Sequence, residues 1–247
     1  MAKRVVIIGG VATGMKTASR LRRRDKDVEI IVLERGPQLS YGACGFPYFI
    51  SGDVKSFKQF DHTPQGIPRD AAFFKSVKGI DARTGCNVTA IDREAKTVTY
   101  VEAGEEKVLS YDVLVLGTGS TPVKLPLPNA DAQGIHSFWF PWDVEAVDKA
   151  ITERGVTDVV IIGAGPAGLT AAVYALRAEK SVLVIEKSTF GGQITYSPKI
   201  ENFPGFISLS GNELADKMVE QVLNLGGEIE VGKVVSVENC EGFKRVI

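Results

Sequence analysis

Two glycine-bearing turns, 154 residues apart, constrain this chain more than any other feature. The first follows the apolar run Val5–Ile8 and reads Gly9-Gly10-Val11-Ala12-Thr13-Gly14. A continuous apolar run suits a strand buried on both faces, and Met15–Arg24, with Ala18 and Leu21 on one side, suits a helix. Val28–Leu33 is a second such run and closes on Glu34. Strand, glycine turn, helix, strand, acid is the βαβ unit that receives a dinucleotide. Gly9 permits the tight turn, Gly14 lets the helix pack close to the strand, and the helix N-terminus offers N–H groups to a pyrophosphate. Glu34 lies 20 residues past Gly14, where a carboxylate accepts from an adenosine ribose hydroxyl. Val11 takes the place of the middle glycine of G-x-G-x-x-G.

The pattern recurs. Asp158–Ile162 reads as a strand, Gly163-Ala164-Gly165-Pro166-Ala167-Gly168 as a full fingerprint, Leu169–Ala178 as a helix, and Ser181–Ile185 as a strand closed by Glu186. One fingerprint is a weak signal; two in the right context are strong. An acid at Glu186 suits an unphosphorylated ribose, so NADH is favoured over NADPH if this unit takes a nicotinamide nucleotide. The expected fold class is α/β, with two Rossmann-like βαβ units on parallel sheets. The expected boundaries are 1–125 for a first dinucleotide domain, 126–155 for a linker and helix, and 156–247 for a second unit with fewer strands than a doubly wound domain normally has.

Composition narrows the field. Glycine is 26 of 247 residues without a proline excess, which fits turns rather than low complexity. Charge is balanced at 29 basic and 30 acidic residues, so no basic field invites nucleic acid or a membrane surface. No apolar stretch is long enough to span a bilayer. Three cysteines cannot all pair, which fits a reducing cytoplasm. The two histidines, His62 and His136, stand apart, so no metal site is expected. The absence of G-x-S-x-G leaves a hydrolase without motif support.

Between the units, 36–53 reads as loop and 55–66 as polar surface, with a short helix in 68–76. Gly85–Asp92, Thr97–Glu102 and Lys107–Ser110 read as a small antiparallel meander inserted in the first unit. Val113–Leu116 is a further strand, Asp143–Arg154 a helix, Asn212–Leu225 a helix, and Glu228–Val231 and Lys233–Glu238 strands.

Cys44 sits in Ser40-Tyr41-Gly42-Ala43-Cys44-Gly45-Phe46-Pro47-Tyr48, ten residues past Glu34. Flanking glycines leave it accessible, and a thiol there lies toward the far end of a bound dinucleotide. Cys86 and Cys240 read as non-catalytic.

Residues 1–160 resemble the flavin disulfide reductases with one redox cysteine, in the branch of coenzyme A-disulfide reductases, NADH oxidases and persulfide reductases. The resemblance rests on Ile8–Met15, Glu34-Arg35-Gly36, the Cys44 segment and Tyr111–Ser120 with its Gly117-Thr118-Gly119. It implies FAD on the first turn (Gly9, Gly10, Val11, Ala12, Gly14, Glu34, Arg35), closed by Thr118 and Gly119. It further implies Cys44 as redox nucleophile, with electrons arriving from NAD(P)H through the flavin. By position Lys16, Arg20, Arg23, Ser40 and Lys75 match coenzyme A contacts, although the stretch Arg20–Arg24 also reads as a solvated helix face and the usual Asn before the cysteine is Ala43.

From about 158 onward the chain instead resembles the FAD-binding segment of thioredoxin reductase. Gly163–Ala172, Glu186-Lys187, Gly191-Gly192-Gln193-Ile194 and Glu201–Phe206 carry that resemblance. It implies nucleotide contacts at Gly163, Gly165, Pro166, Ala167, Gly168, Glu186 and Lys187, with Gly192, Gln193 and Asn202 toward the flavin. The two resemblances meet inside Val159–Gly168, giving a chimera-like, shortened chain. Thioredoxin reductase's Cys-x-x-Cys has no counterpart here.

The expected function is thus an FAD-dependent, NAD(P)H-linked thiol–disulfide oxidoreductase. Its acceptor is a small-molecule disulfide (coenzyme A disulfide among them), a persulfide or oxygen, and a homodimer is possible. The alternative is a non-catalytic or truncated dinucleotide-binding protein.

Overall fold

A computed structural model describes residues 2–247. The chain divides into two compact units, 1–44 with 56–121 and 45–55 with 122–247.

In the first unit β1 (Arg4–Ile8) leads through the first glycine turn into α1 (Ala12–Arg24) and returns as β2 (Glu29–Leu33). After Cys44 the chain enters the second unit, forms α2 (Phe46–Ile50), and returns to the first at Ser56. There follow α3 (Ala71–Lys78), β3 (Asp81–Arg83), β4 (Cys86–Asp92), β5 (Thr97–Glu102), β6 (Glu105–Ser110) and β7 (Val113–Leu116). The sheet order is β3-β2-β1-β7, all parallel, and β4-β5-β6 is the antiparallel meander.

Strand alternation explains why the run Val5–Ile8 is apolar throughout. Val5 and Ile7 pack on one face with Met15, Ala18 and Phe74 from the helices. Val6 and Ile8 pack on the other with Val98 and Tyr100 from the meander. Both faces of this sheet are covered.

The second unit holds α4 (Pro141–Arg154), β8 (Asp158–Ile162), α5 (Pro166–Arg177), β9 (Ser181–Glu186), α6 (Gly211–Asn224), β10 (Glu228–Val231), β11 (Val237–Asn239) and β12 (Lys244–Val246). Its parallel sheet runs β10-β9-β8. Val159, Ile161, Val182 and Val184 pack against Leu169, Ala172 and Val222 of α5 and α6. The opposite face is open: Val160 is 43% exposed and Ile162 39%. The element that follows β10 is only a two-stranded hairpin of three-residue strands, unlike the three-stranded meander of the first unit.

Several elements differ from the sequence expectation. Residues 46–50 are helical rather than loop, started by Gly45 with Pro47 in the first turn, where proline's missing N–H costs nothing. The stretch 55–66 is not simply polar surface, because a 3₁₀ turn at Phe57–Phe60 buries Phe60. α5 begins at Pro166 rather than Leu169 for the same N-terminal reason. The last strand region is a hairpin, β11 with β12, and not a single strand over 233–238. No helix among the described residues is long and apolar enough to cross a membrane.

Candidate functional site

The two glycine turns share one hydrogen-bond plan. Gly9 N–H donates to Leu33 C=O at 2.8 Å, and Gly163 N–H donates to Ile185 C=O at 2.8 Å. Both glycines have a positive φ, +104° and +106°, a conformation that a Cβ would strain. A Cβ on Gly14 would overlap the Gly9 carbonyl oxygen, and one on Gly168 the Gly163 carbonyl oxygen. Each helix therefore sits as close to its strand as backbone allows.

The closing acids clasp the turns. Glu34 Oε2 accepts from Gly10 N–H at 2.6 Å and Oε1 from Gly36 N–H at 2.7 Å. A carboxylate has about four acceptor positions, so Glu34 keeps capacity for ribose hydroxyls. Glu186 accepts from Ala164 N–H at 2.8 Å, Ser188 N–H at 3.0 Å and Ser188 Oγ–H at 3.2 Å. It is buried, and the turn itself takes most of its acceptor capacity. Burial opposes its charge, but these hydrogen bonds outweigh burial and hold its carboxyl below the ordinary value.

The turns fit a dinucleotide. The N-caps of α1 and α5, Val11 and Gly165, bring no side-chain cap, whereas Asp70 caps α3 and Ser210 caps α6. The first-turn N–H groups of α1 and α5 thus lack the side-chain acceptor that α3 and α6 carry. A Cβ on Gly165 would meet no atom within 4 Å, so the space beside that turn is open. In the first unit Val11 is half-buried, Ala12 is exposed, and Thr118 and Gly119 are exposed just past β7. Gly117 N–H binds Ile8 C=O at 2.8 Å, and Gly117 O lies against Gly9, which brings the Thr118–Gly119 end of β7 to the first turn. Arg35 donates to Thr121 Oγ1 at 2.8 Å on the same unit.

Cys44 is exposed and occupies the middle of a 3₁₀ turn, Ala43–Gly45. The segment before it is tied to the first turn by Ser40 N–H, which donates to Gly10 C=O at 2.9 Å, and to the 3₁₀ turn at Phe57–Phe60 by Gly42 N–H, which donates to Phe60 C=O at 2.9 Å. Ser40 has φ +53°, an unusual conformation for a residue with a side chain. Cys86, by contrast, is buried, and burial followed by its contact with Glu102 pushes its thiol up to about 11.

Lys16, Arg20 and Arg23 lie on the solvent side of α1, opposite Met15 and Ala18. Lys16 and Arg20 border a shallow depression with Thr17, Leu21 and Arg24. Lys75 is exposed on α3. In the second unit Gly191 N–H donates to Ala164 C=O at 2.7 Å, and a Cβ on Gly192 would stand 3.3 Å from Gly165 Cα. Gly192 therefore packs on the second turn with Gly163, Gly165 and Gly168. Pro166 and Ala167 form the first turn of α5, and Lys187, Gln193 and Asn202 are exposed.

Two long-range side-chain contacts within the second unit carried no sequence signal. Tyr48 and Tyr174 meet edge to face with centroids 4.9 Å apart, and Arg177 pairs with Asp53 at 3.0 Å. The partners of each pair are more than 120 residues apart in the chain, and only Tyr48, at the end of the Cys44 segment, lies in a stretch that the sequence singles out.

The family model for pyridine nucleotide-disulphide oxidoreductases matches residues 3–153 and 157–245. An NADH oxidase of Methanocaldococcus jannaschii is 33% identical over 221 residues, covering 88% of this chain and 45% of the relative. A thioredoxin reductase of Bacillus subtilis is 45% identical over 96 residues, 39% of this chain and 30% of that enzyme. The solved structure of an NAD-dependent persulfide reductase from A. fulgidus superposes with a TM-score of 0.82 at 33% identity, covering 95% of this chain and 41% of that one. The chain spans about half the length of the NADH oxidase it matches. On the family match, which takes in nearly every residue, the chain belongs to the pyridine nucleotide-disulphide oxidoreductase family.

Proposed function

We propose that this chain carries the flavin and redox-thiol portion of an NAD(P)H-linked thiol–disulfide oxidoreductase, with Cys44 as the redox nucleophile. The observation that carries the reading is the link between the segment of an exposed thiol and the first glycine turn, made by the Ser40–Gly10 hydrogen bond. Gly9, Gly10, Val11, Ala12 and Gly14 would face the pyrophosphate of FAD, Glu34 its ribose, and Thr118 and Gly119 would close over it. Gly163, Gly165 and Gly168 would receive a second dinucleotide, with NADH favoured. When bound, the flavin supplies acceptance of a hydride from NAD(P)H and delivery of an electron pair.

The chain's own part is the thiol chemistry. Cys44 as thiolate attacks one sulfur of an acceptor disulfide; the new bond to Cys44 Sγ forms as the acceptor's S–S bond breaks, and the other sulfur leaves as a thiolate. Lys16, Arg20, Arg23, Ser40 and Lys75 would meet the phosphates of a coenzyme A acceptor. Relatives named for coenzyme A disulfide, sulfur or persulfide reduction support an acceptor of that class.

Reconstitution with FAD tests the reading. The expected result is a yellow protein whose flavin band bleaches on anaerobic addition of NADH. A chain that cannot be reconstituted with FAD refutes the proposal and leaves a dinucleotide-binding protein without redox turnover.

A further inference from the structure

Within the first unit, the carbonyl that holds the thiol segment is itself held by an arginine. Gly42, two residues before Cys44, donates its N–H to Phe60 C=O at 2.9 Å. The guanidinium of Arg69 donates to the same Phe60 carbonyl through Nη2. A carbonyl oxygen has two acceptor positions, so both donors fit on it. Gly42, Cys44, Phe60 and Arg69 all belong to the first compact unit.

Local structure brings Arg69 to this place. After the 3₁₀ turn Phe57–Phe60 the chain folds back as a tight hairpin. Thr63 N–H donates to Ile67 C=O at 2.8 Å and Arg69 N–H to Asp61 C=O at 2.8 Å, and His62 pairs antiparallel with Pro68 between them. The hairpin thus returns Arg69 to the side of Phe60, nine residues earlier. Phe60 is buried and meets Phe57 edge to face with centroids 5.2 Å apart. The next residue, Asp70, caps α3 by accepting from Phe73 N–H at 2.8 Å. The backbone of Arg69 is therefore fixed by the hairpin on one side and by a helix start on the other.

The side chain is placed against local preference. Its Nε is buried without a hydrogen-bond partner among the described residues, which forfeits the hydration of that group. It also stands among other cations: burial, then the charges of Arg23 and Arg69, lower the Lys78 ammonium from its ordinary value. What Arg69 gains is a charge-assisted bond to the Phe60 carbonyl. A side chain that breaks two local rules for one contact marks a functional placement.

We infer that Arg69 is a positioning residue for Cys44. Its guanidinium fixes the direction of the Phe60 carbonyl, that carbonyl holds Gly42, and Gly42 sets where the turn bearing the thiol begins. Ser40 is bound to Gly10, and the Gly42 bond keeps the segment from pivoting about Ser40. The functional meaning rests on the reading of Cys44 as nucleophile; the geometry stands apart from turnover.

Two readouts on the full chain test this role. The first is amide hydrogen exchange at single-residue resolution. In Arg69→Met the Gly42 amide exchanges about tenfold faster, the factor a charge-assisted hydrogen bond is worth. The Ser40 amide keeps its wild-type rate, and Arg69→Lys, which retains a cationic donor, restores the protection of Gly42. The second is the electron paramagnetic resonance spectrum of a nitroxide on Cys44 in a Cys240→Ser background. Its lines narrow in Arg69→Met, while a label on Cys240 in a Cys44→Ser background is unchanged. Arg69→Gln, which keeps an uncharged donor, shows a smaller rise at Gly42 and serves if Arg69→Met fails to fold. An unchanged Gly42 rate, equal rises at Gly42 and Ser40, or an unchanged Cys44 label overturns the inference. Neither readout involves turnover, so a redox-silent Cys44 would refute its assigned chemistry and leave the positioning contact standing.

Discussion

Glu34 and Gly10 are joined by a hydrogen bond of 2.6 Å from the Gly10 N–H, and the second unit repeats the bond between Glu186 and Ala164 at 2.8 Å. The acid that ends the second strand of each unit thus fastens its glycine turn. The two acids differ in what remains. Glu34 is half-buried with two turn donors, while Glu186 is buried with three. Glu186→Gln should therefore lower the free energy of unfolding in urea more than Glu34→Gln, by about 1–3 kcal/mol for a buried donor left unmatched. Glu34→Gln should weaken FAD binding more than it weakens the fold. Equal stability losses from the two would contradict this division.

The depressed carboxyl of Glu186 has a pH signature. Burial disfavours its charge but the turn's hydrogen bonds prevail, so its folded pKa lies below the unfolded value of about 4.3. Its contribution is present above that unfolded value and is lost as pH falls through the folded pKa. Urea unfolding of wild type and Glu186→Gln should therefore show a constant gap from neutral pH to about pH 5. The gap should narrow below about 4.3. A gap that widens on acidification has the wrong sign for this account.

Gly165 and Gly168 should separate binding from folding. A Cβ at Gly168 overlaps the Gly163 carbonyl, so Gly168→Ala should cost about 1–3 kcal/mol by overpacking. A Cβ at Gly165 meets nothing within 4 Å, so Gly165→Ala should leave thermal stability near wild type and reduce NADH affinity. Differential scanning calorimetry and equilibrium dialysis read the two effects. Wild-type NADH affinity in Gly165→Ala would remove the second turn from nucleotide binding.

The cysteines should label in a fixed order. Cys44 is exposed; Cys86 is buried, with its thiol pushed up to about 11 by burial and Glu102. At pH 8 only about one Cys86 in a thousand is thiolate, the reactive form. Brief iodoacetamide treatment of the native protein should modify Cys44 and spare Cys86. Early modification of Cys86 would show that its strand opens readily.

The two glycine turns were legible as folded units because their geometry is local. Apolar runs, glycines at fixed intervals and a closing acid lie within about 30 residues, and the structure keeps that order. The meander was legible from strand alternation broken by turns. α2 was not, because five residues carry too little periodicity to betray a helix, and its support comes from α5. β12 was missed because Lys244 and Arg245 mask a strand that only pairing with β11 creates. The open face of Val160 and Ile162 was also hidden, since a continuous apolar run reads the same whether one face or both are covered.

The central claim is that Cys44, tethered beside the first turn, performs the redox chemistry. The direct measurement is NADH-dependent reduction of coenzyme A disulfide by wild-type protein and Cys44→Ser, each loaded with FAD and matched for flavin content. The account predicts turnover by the wild type and none by Cys44→Ser. Equal turnover by the two would contradict it.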